Sequence, residues 1–228
     1  MPFEVKQFDV EKFDAVLARG LSNGVGNPDG QMCIEAAICN VLGLPHGDDP
    51  GCVASSVRSF KIALNDKKWS SPAARAAGLR DLGLAQLGSK GTINDREFVT
   101  KLAEKLIRVL VPTLIRDLYP NKPELLAAAD RCEAEGTKEA ARAARDLLYA
   151  AADADAAADA AAYAAAAAAA YAAAYAAAAA AAAAAAYAAA YAKSKARDKY
   201  LNLGAKCALD VLIEMKSPGV ALLNLEVR

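Results

Sequence analysis

The chain has 228 residues, and its 27 lysines and arginines offset 27 aspartates and glutamates, leaving a formal charge of zero. That balance argues against nucleic-acid binding through a basic surface, which draws on counterion release at many cationic side chains. The single histidine excludes metal sites and triads that need two within one chain, and the 55% hydrophobic content with only 6% aromatics is inflated by alanine.

The opening Met1-Pro2-Phe3-Glu4-Val5-Lys6 lacks the basic and apolar regions of a secretory leader. Five cysteines (Cys33, Cys39, Cys52, Cys132 and Cys207) are odd in number and thinly spread. They read as reduced, buried thiols of a cytoplasmic protein.

Apolar residues up to about residue 136 recur at helical spacing, which predicts an all-α head of about six helices. Phe8, Phe13, Val16 and Leu17 predict a first helix ending at Gly20. A glycine-punctuated linker follows to Gly30, and Asp29 is the expected cap of a helix over 31–42 that puts Cys33, Ala36, Ala37 and Val41 near one face. Pro45 to Gly51 reads as a turn, with Asp48 or Asp49 capping a third helix over 52–64. Ser71-Pro72 opens a helix that stops at Gly88, since serine caps and proline suits the first turn. The next is expected over 95–118, with Pro112 kinking or dividing it. A shorter one spans 124–135 and ends at Gly136. Trp69 reads as a staple onto this bundle.

Composition changes beyond residue 136. No glycine or proline occurs from Thr137 to Leu203, and 35 of the 43 residues from Ala150 to Ala192 are alanine. Alanine loses no side-chain entropy in a helix, so this stretch is the firmest helical expectation. Unbroken, 137–203 would be about 100 Å long. Asp153, Asp155 and Asp159 precede the tract and Lys193, Lys195, Arg197 and Lys199 follow it, an order that suits the helix dipole. The run has no Leu, Ile, Val or Phe to favour membrane insertion, so no membrane span is expected. Gly204 is an expected interruption, 205–216 a further helix, Ser217-Pro218-Gly219 a turn, and 220–228 an apolar tail docked on the bundle.

The tract's tyrosines carry the interaction reading. Tyr163, Tyr171, Tyr175, Tyr187 and Tyr191 are its large side chains, and a lone alanine helix would expose its whole methyl surface. At 100° per residue the Tyr171/Tyr175 and Tyr187/Tyr191 pairs point to nearly opposite sides. The tract is therefore packed on both sides, or bent between them. The four are also symmetric about Ala181, so an antiparallel dimer or a hairpin would set Tyr171 beside Tyr191 and Tyr175 beside Tyr187; repeat expansion in a permissive helix is the plainer alternative.

Reactive residues cluster between Gln31 and Cys52. A small cysteine hydrolase or transferase with Cys33, near a helix N-terminus, as nucleophile, His46 as base and Asp48 or Asp49 as orienter is one chemistry they permit. A structural thiol on an amphipathic helix is the plainer alternative. A zinc site from Cys33, Cys39, His46 and Cys52 is disfavoured by the six-residue spacing of the first pair. The glycine loop lacks the Gly-Lys-Ser/Thr of a phosphate-binding loop. No cofactor or metal is expected.

The run from Cys33 to Pro50, with Leu64-Asn65-Asp66 and Trp69-Ser70-Ser71, resembles a family of uncharacterised bacterial and phage helical proteins with variable alanine-rich tails. The resemblance implies a mobile-element role of inhibitor or immunity type, and brings no established activity or site. Taken together, the expectation is a globular helical head (1–136), an Ala/Tyr-rich long helix or helical hairpin (137–203), and a short C-terminal helix with tail (204–228). The expected function is non-catalytic, the alanine-rich helix binding a protein partner or a second copy.

Overall fold

The helix starts show why the chain folds as it does. The computed structural model describes residues 4–151 and 194–223, and among them the structure is all-α. The helices are α1 (Val10–Leu17), α2 (Ile34–Val41), α3 (Ser55–Asn65), α4 (Pro72–Ala85), α5 (Asp95–Leu118), α6 (Pro123–Glu135), α7 (Lys138–Ala151) and α8 (Ser194–Glu214). Short 3₁₀ turns cover Val5–Gln7 and Pro218–Leu222.

Capping residues set most of these boundaries. The carboxylate of Asp9 accepts from the Lys12 N–H at 2.9 Å to start α1. Ser71 Oγ accepts from Ala74 at 3.0 Å with Pro72 in the first turn of α4. Asn94 accepts from Glu97 at 3.0 Å to open α5. At the end of α6, Gly136 turns left-handed at φ +63° and its N–H donates to the Cys132 carbonyl. The Arg108 guanidinium closes that terminus from α5, donating to the carbonyls of Glu133, Ala134 and Glu135 at 2.5–2.8 Å.

Several expectations are corrected. The second helix begins at Ile34 with Cys33 as its cap, not at 31 under Asp29; Asp29 lies in a turn and donates its N–H to Asn27. The glycine-rich stretch is a pinned loop and not a free linker. Isolated bridges join Met32 to Leu21 and Gly26, and the Leu21 N–H donates to the Pro72 carbonyl at 3.0 Å. The third helix begins at Ser55. Neither Asp48 nor Asp49 caps it: Asp49 accepts from Gly51 and pairs with Arg58 at 2.8 Å, while Asp95 of α5 accepts from the Ser56 N–H. Pro112 does not divide α5. Proline withdraws one N–H from the ladder, but Leu110, Val111, Leu114 and Ile115 are all buried around it and hold the helix together. Gly204 likewise falls inside α8, whose buried stripe of Leu201, Ala205, Ala208 and Leu212 runs straight past it.

The bundle is organised on α4 and α5. Helix α5 packs against α3, α6, α7 and α8, and α4 against α1, α2, α3 and α8. The Trp69 ring seals the α4/α8 seam as expected of a staple. It is 5% exposed, its Nε1 donates to the Leu64 carbonyl at 3.0 Å, and it lies over Gly78. Polar contacts bind α8 along its length: Asp198 to Ser70, Lys199 and the Tyr200 hydroxyl to Asp117, and Glu214 to Lys101. The tail docks as expected as far as it is described. Ser217 Oγ donates to the Ala85 carbonyl, the Gly219 N–H donates to Leu87, and Leu223 is buried. No described helix is long and apolar enough to cross a membrane.

Candidate functional site

The head's polar residues converge where α2 begins. Cys33 is the N-cap of α2, and its Sγ accepts the Ala36 N–H at 3.3 Å, the role usually taken by a serine or aspartate. The next amide, Ile34 N–H, donates to Asn65 Oδ1 at the end of α3 (3.3 Å). Asn65 in turn donates to the Ser22 carbonyl and to Asp66, each at 3.0 Å, and Asp66 accepts the Gly24 N–H at 2.9 Å. One asparagine and one aspartate thus tie the 20–33 loop, α2 and α3 together.

Gly26 makes the close loop packing possible. Its φ is +76°, and a Cβ there would stand 2.6 Å from the Met32 Cα and run into Ser22 and the Gln31 carbonyl.

Between these elements lies a cavity of about 110 Å³. Gly24, Val25, Cys33, Ile34, Ile62 and Asn65 line it, together with the acidic residues Glu35, Asp48 and Asp66. Behind it, Glu35 Oε1 and Lys61 Nζ form an ion pair at 3.0 Å with both side chains fully buried, and Gln86 donates to Glu35 Oε2 at 3.0 Å. Burial pushes the Glu35 carboxyl up and the Lys61 ammonium down; in each case the partner's opposite charge opposes the shift. Glu35 and Lys61 cancel one another's charge and Arg75 acts on Asp66, whereas Asp48 has no such partner among the described residues.

The sequence-derived cysteine site is only partly assembled. Cys33 and Asp48 do line the same cavity. His46 is exposed, and its Nε2 lies 3.2 Å from the Gly26 carbonyl, while the thiol's hydrogen-bond partner is the Ala36 amide. Burial raises the Cys33 thiol above its ordinary value, against the lowering pull of the Ala36 N–H. All five cysteines are buried and unpaired. Burial pushes Cys39 and Cys132 up to about 11 and Cys207 to about 12. Among the described residues no group of three or more His, Cys, Asp or Glu is placed to hold a metal ion. The interaction residues Tyr163, Tyr171, Tyr175, Tyr187 and Tyr191 lie outside the described residues, as does the choice between a straight, bent or hairpin tract.

The Glu35–Lys61–Gln86 cluster is absent from the sequence reading, although a signal for it exists. Lys61 falls four residues after Val57 and Glu35 three before Ile38, each on the buried side of its helix, and Gln86 is the C-cap of α4, seven residues after Leu79. A polar residue on an apolar stripe is the mark of a buried polar contact.

No protein-family model, curated protein or solved structure matches the chain.

Proposed function

We propose that this is a non-catalytic helical interaction protein, in which a folded head carries the alanine-rich segment to a protein partner or a second copy of the chain. The observation that carries this reading is that both helices flanking residues 152–193 rest on the same element: α7 and α8 each pack against α5. The helices on either side of the segment share one scaffold, which suits a presented interaction element. The use of Cys33 as a helix cap, with a thiol held protonated by burial, supports a structural role for it over a nucleophilic one. Five buried, unpaired thiols support a reducing, cytoplasmic setting. Zero net charge favours protein over nucleic acid as the partner. An inhibitor or immunity-type role on a mobile element is the biological setting that the sequence resemblance suggests.

Light scattering of the intact chain, paired with chemical cross-linking, tests the self-association arm. A mass of two or more chains, with cross-links inside 152–193, is the expected result. A monomer at every concentration, with no cross-link between copies, overturns it.

A further inference from the structure

We propose that the cavity at the start of α2 receives one lysine or arginine side chain from a protein partner. This rests on the reading of the chain as an interaction protein, and it adds a second contact surface, on the head, with a defined chemistry. Size is the first argument. At about 110 Å³ the cavity is well below the roughly 300–1,000 Å³ of small-molecule sites, and fits the end of one long side chain.

Lining is the second argument. Val25, Ile34 and Ile62 supply apolar walls, and Asp48 and Asp66 supply carboxylates. An aliphatic stem ending in a cation matches that combination, because such side chains lay their methylenes on apolar surface and keep the charge at a polar end.

Charge is the third. Glu35 is already neutralised by Lys61. Asp66 accepts only from the Gly24 amide and the Asn65 side chain, and Asp48 has no hydrogen-bond or ion-pair partner among the described residues. Asp66 already lies within electrostatic reach of Arg75, so Asp48 is the carboxylate left to favour an arriving ammonium or guanidinium.

Val25, one of the lining residues, is 37% exposed, apolar surface beside a carboxylate that a protein partner would cover.

The test is an amide NMR titration of the intact chain with n-butylammonium and n-butylguanidinium as probes, using 1-butanol and magnesium chloride as comparisons. Saturable shifts at the Gly24, Val25 and Asp66 amides with the two organic cations are expected. The apparent Kd should rise about threefold in Asp48→Asn, the loss typical of one exposed ion pair. Asp48 makes no contact the fold needs, so the rest of that variant's spectrum should be unchanged. Absence of shifts, equal shifts from 1-butanol, a response to magnesium in place of the organic cations, or an unaltered Kd in Asp48→Asn each overturns the proposal. The outcome is independent of the light-scattering result, since a monomeric chain still titrates and an oligomer with an inert cavity does not.

Discussion

Lys61 stands where the spacing of Val57, Phe60 and Leu64 calls for an apolar side chain, and among the described residues Glu35 is the carboxylate that pairs with its ammonium in the core. A buried pair of this kind contributes little over an apolar pair of the same volume, yet removing one partner leaves the other uncompensated. Lys61→Met should therefore cost about 3–5 kcal/mol in urea unfolding, and adding Glu35→Gln should recover a substantial part of it. The pH dependence carries a sign. Without Lys61, the Glu35 carboxyl, already raised by burial, must be protonated to stay inside, so the folded form binds that proton more tightly than the unfolded chain. The variant should be most stable below the ordinary carboxylate range and lose stability as pH rises through the elevated folded value; a flat profile would mean that Glu35 has reached water. The thiols allow a second test at this scale. With Cys33 raised by burial and capping α2, alkylation by iodoacetamide near neutral pH should be slow for all five cysteines in the native state and complete in urea. Fast, selective labelling of Cys33 would restore the nucleophile reading with Asp48 beside it.

At the scale of the helix, the legible boundaries are those written in ordinary capping chemistry. Ser71-Pro72 and Gly136 both act as their residue types dictate. The boundaries that were not legible depend on partners far away in sequence. A thiol cap at Cys33 is outside the usual cap set, the first turn of α3 is served by Asp95 from another helix, and Pro112 and Gly204 are overridden by buried stripes on both sides. The candidate site was half legible for the same reason: Cys33 and Asp48 stand in a conspicuous local cluster, whereas Asn65, Asp66, Lys61 and Gln86 join it only through tertiary contact. Gly78 shows how such contact can reverse a propensity. Gly→Ala inside a helix ordinarily stabilises by about 0.5–1 kcal/mol. Here the new Cβ would lie 2.5 Å from Trp69 and closer still to Asn202. Gly78→Ala should instead destabilise by about 1–3 kcal/mol, as overpacking does. Emission from Trp69, the chain's single tryptophan, should shift red as the α4/α8 seam opens; a stabilised variant with unshifted emission would show the seam to be loose.

For the molecule as a whole, α8 is as much a part of the head as any N-terminal helix. Ser70 and Asp198, 128 residues apart, are hydrogen-bonded, and α8 buries Tyr200, Leu201, Ala205, Cys207, Ala208, Val211 and Leu212 against α4 and α5. Leu201, Val211 and Leu212 alone represent several kcal/mol at about 1.5–3 kcal/mol per buried aliphatic side chain, a large share of the roughly 5–15 kcal/mol that stabilises a typical domain. The composition change near residue 136 therefore does not mark where folding ends, since the core closes only when the chain returns from beyond the alanine tract. A chain ending at residue 151 should show weakened helical circular dichroism, red-shifted Trp69 emission and a broad thermal transition. A peptide covering 194–228 added in trans should restore a cooperative transition, in proportion to its concentration, by binding the folded form. A truncated chain that melts cooperatively and ignores the peptide would show instead that the first seven helices suffice, and that α8 is a passenger of the tract it follows.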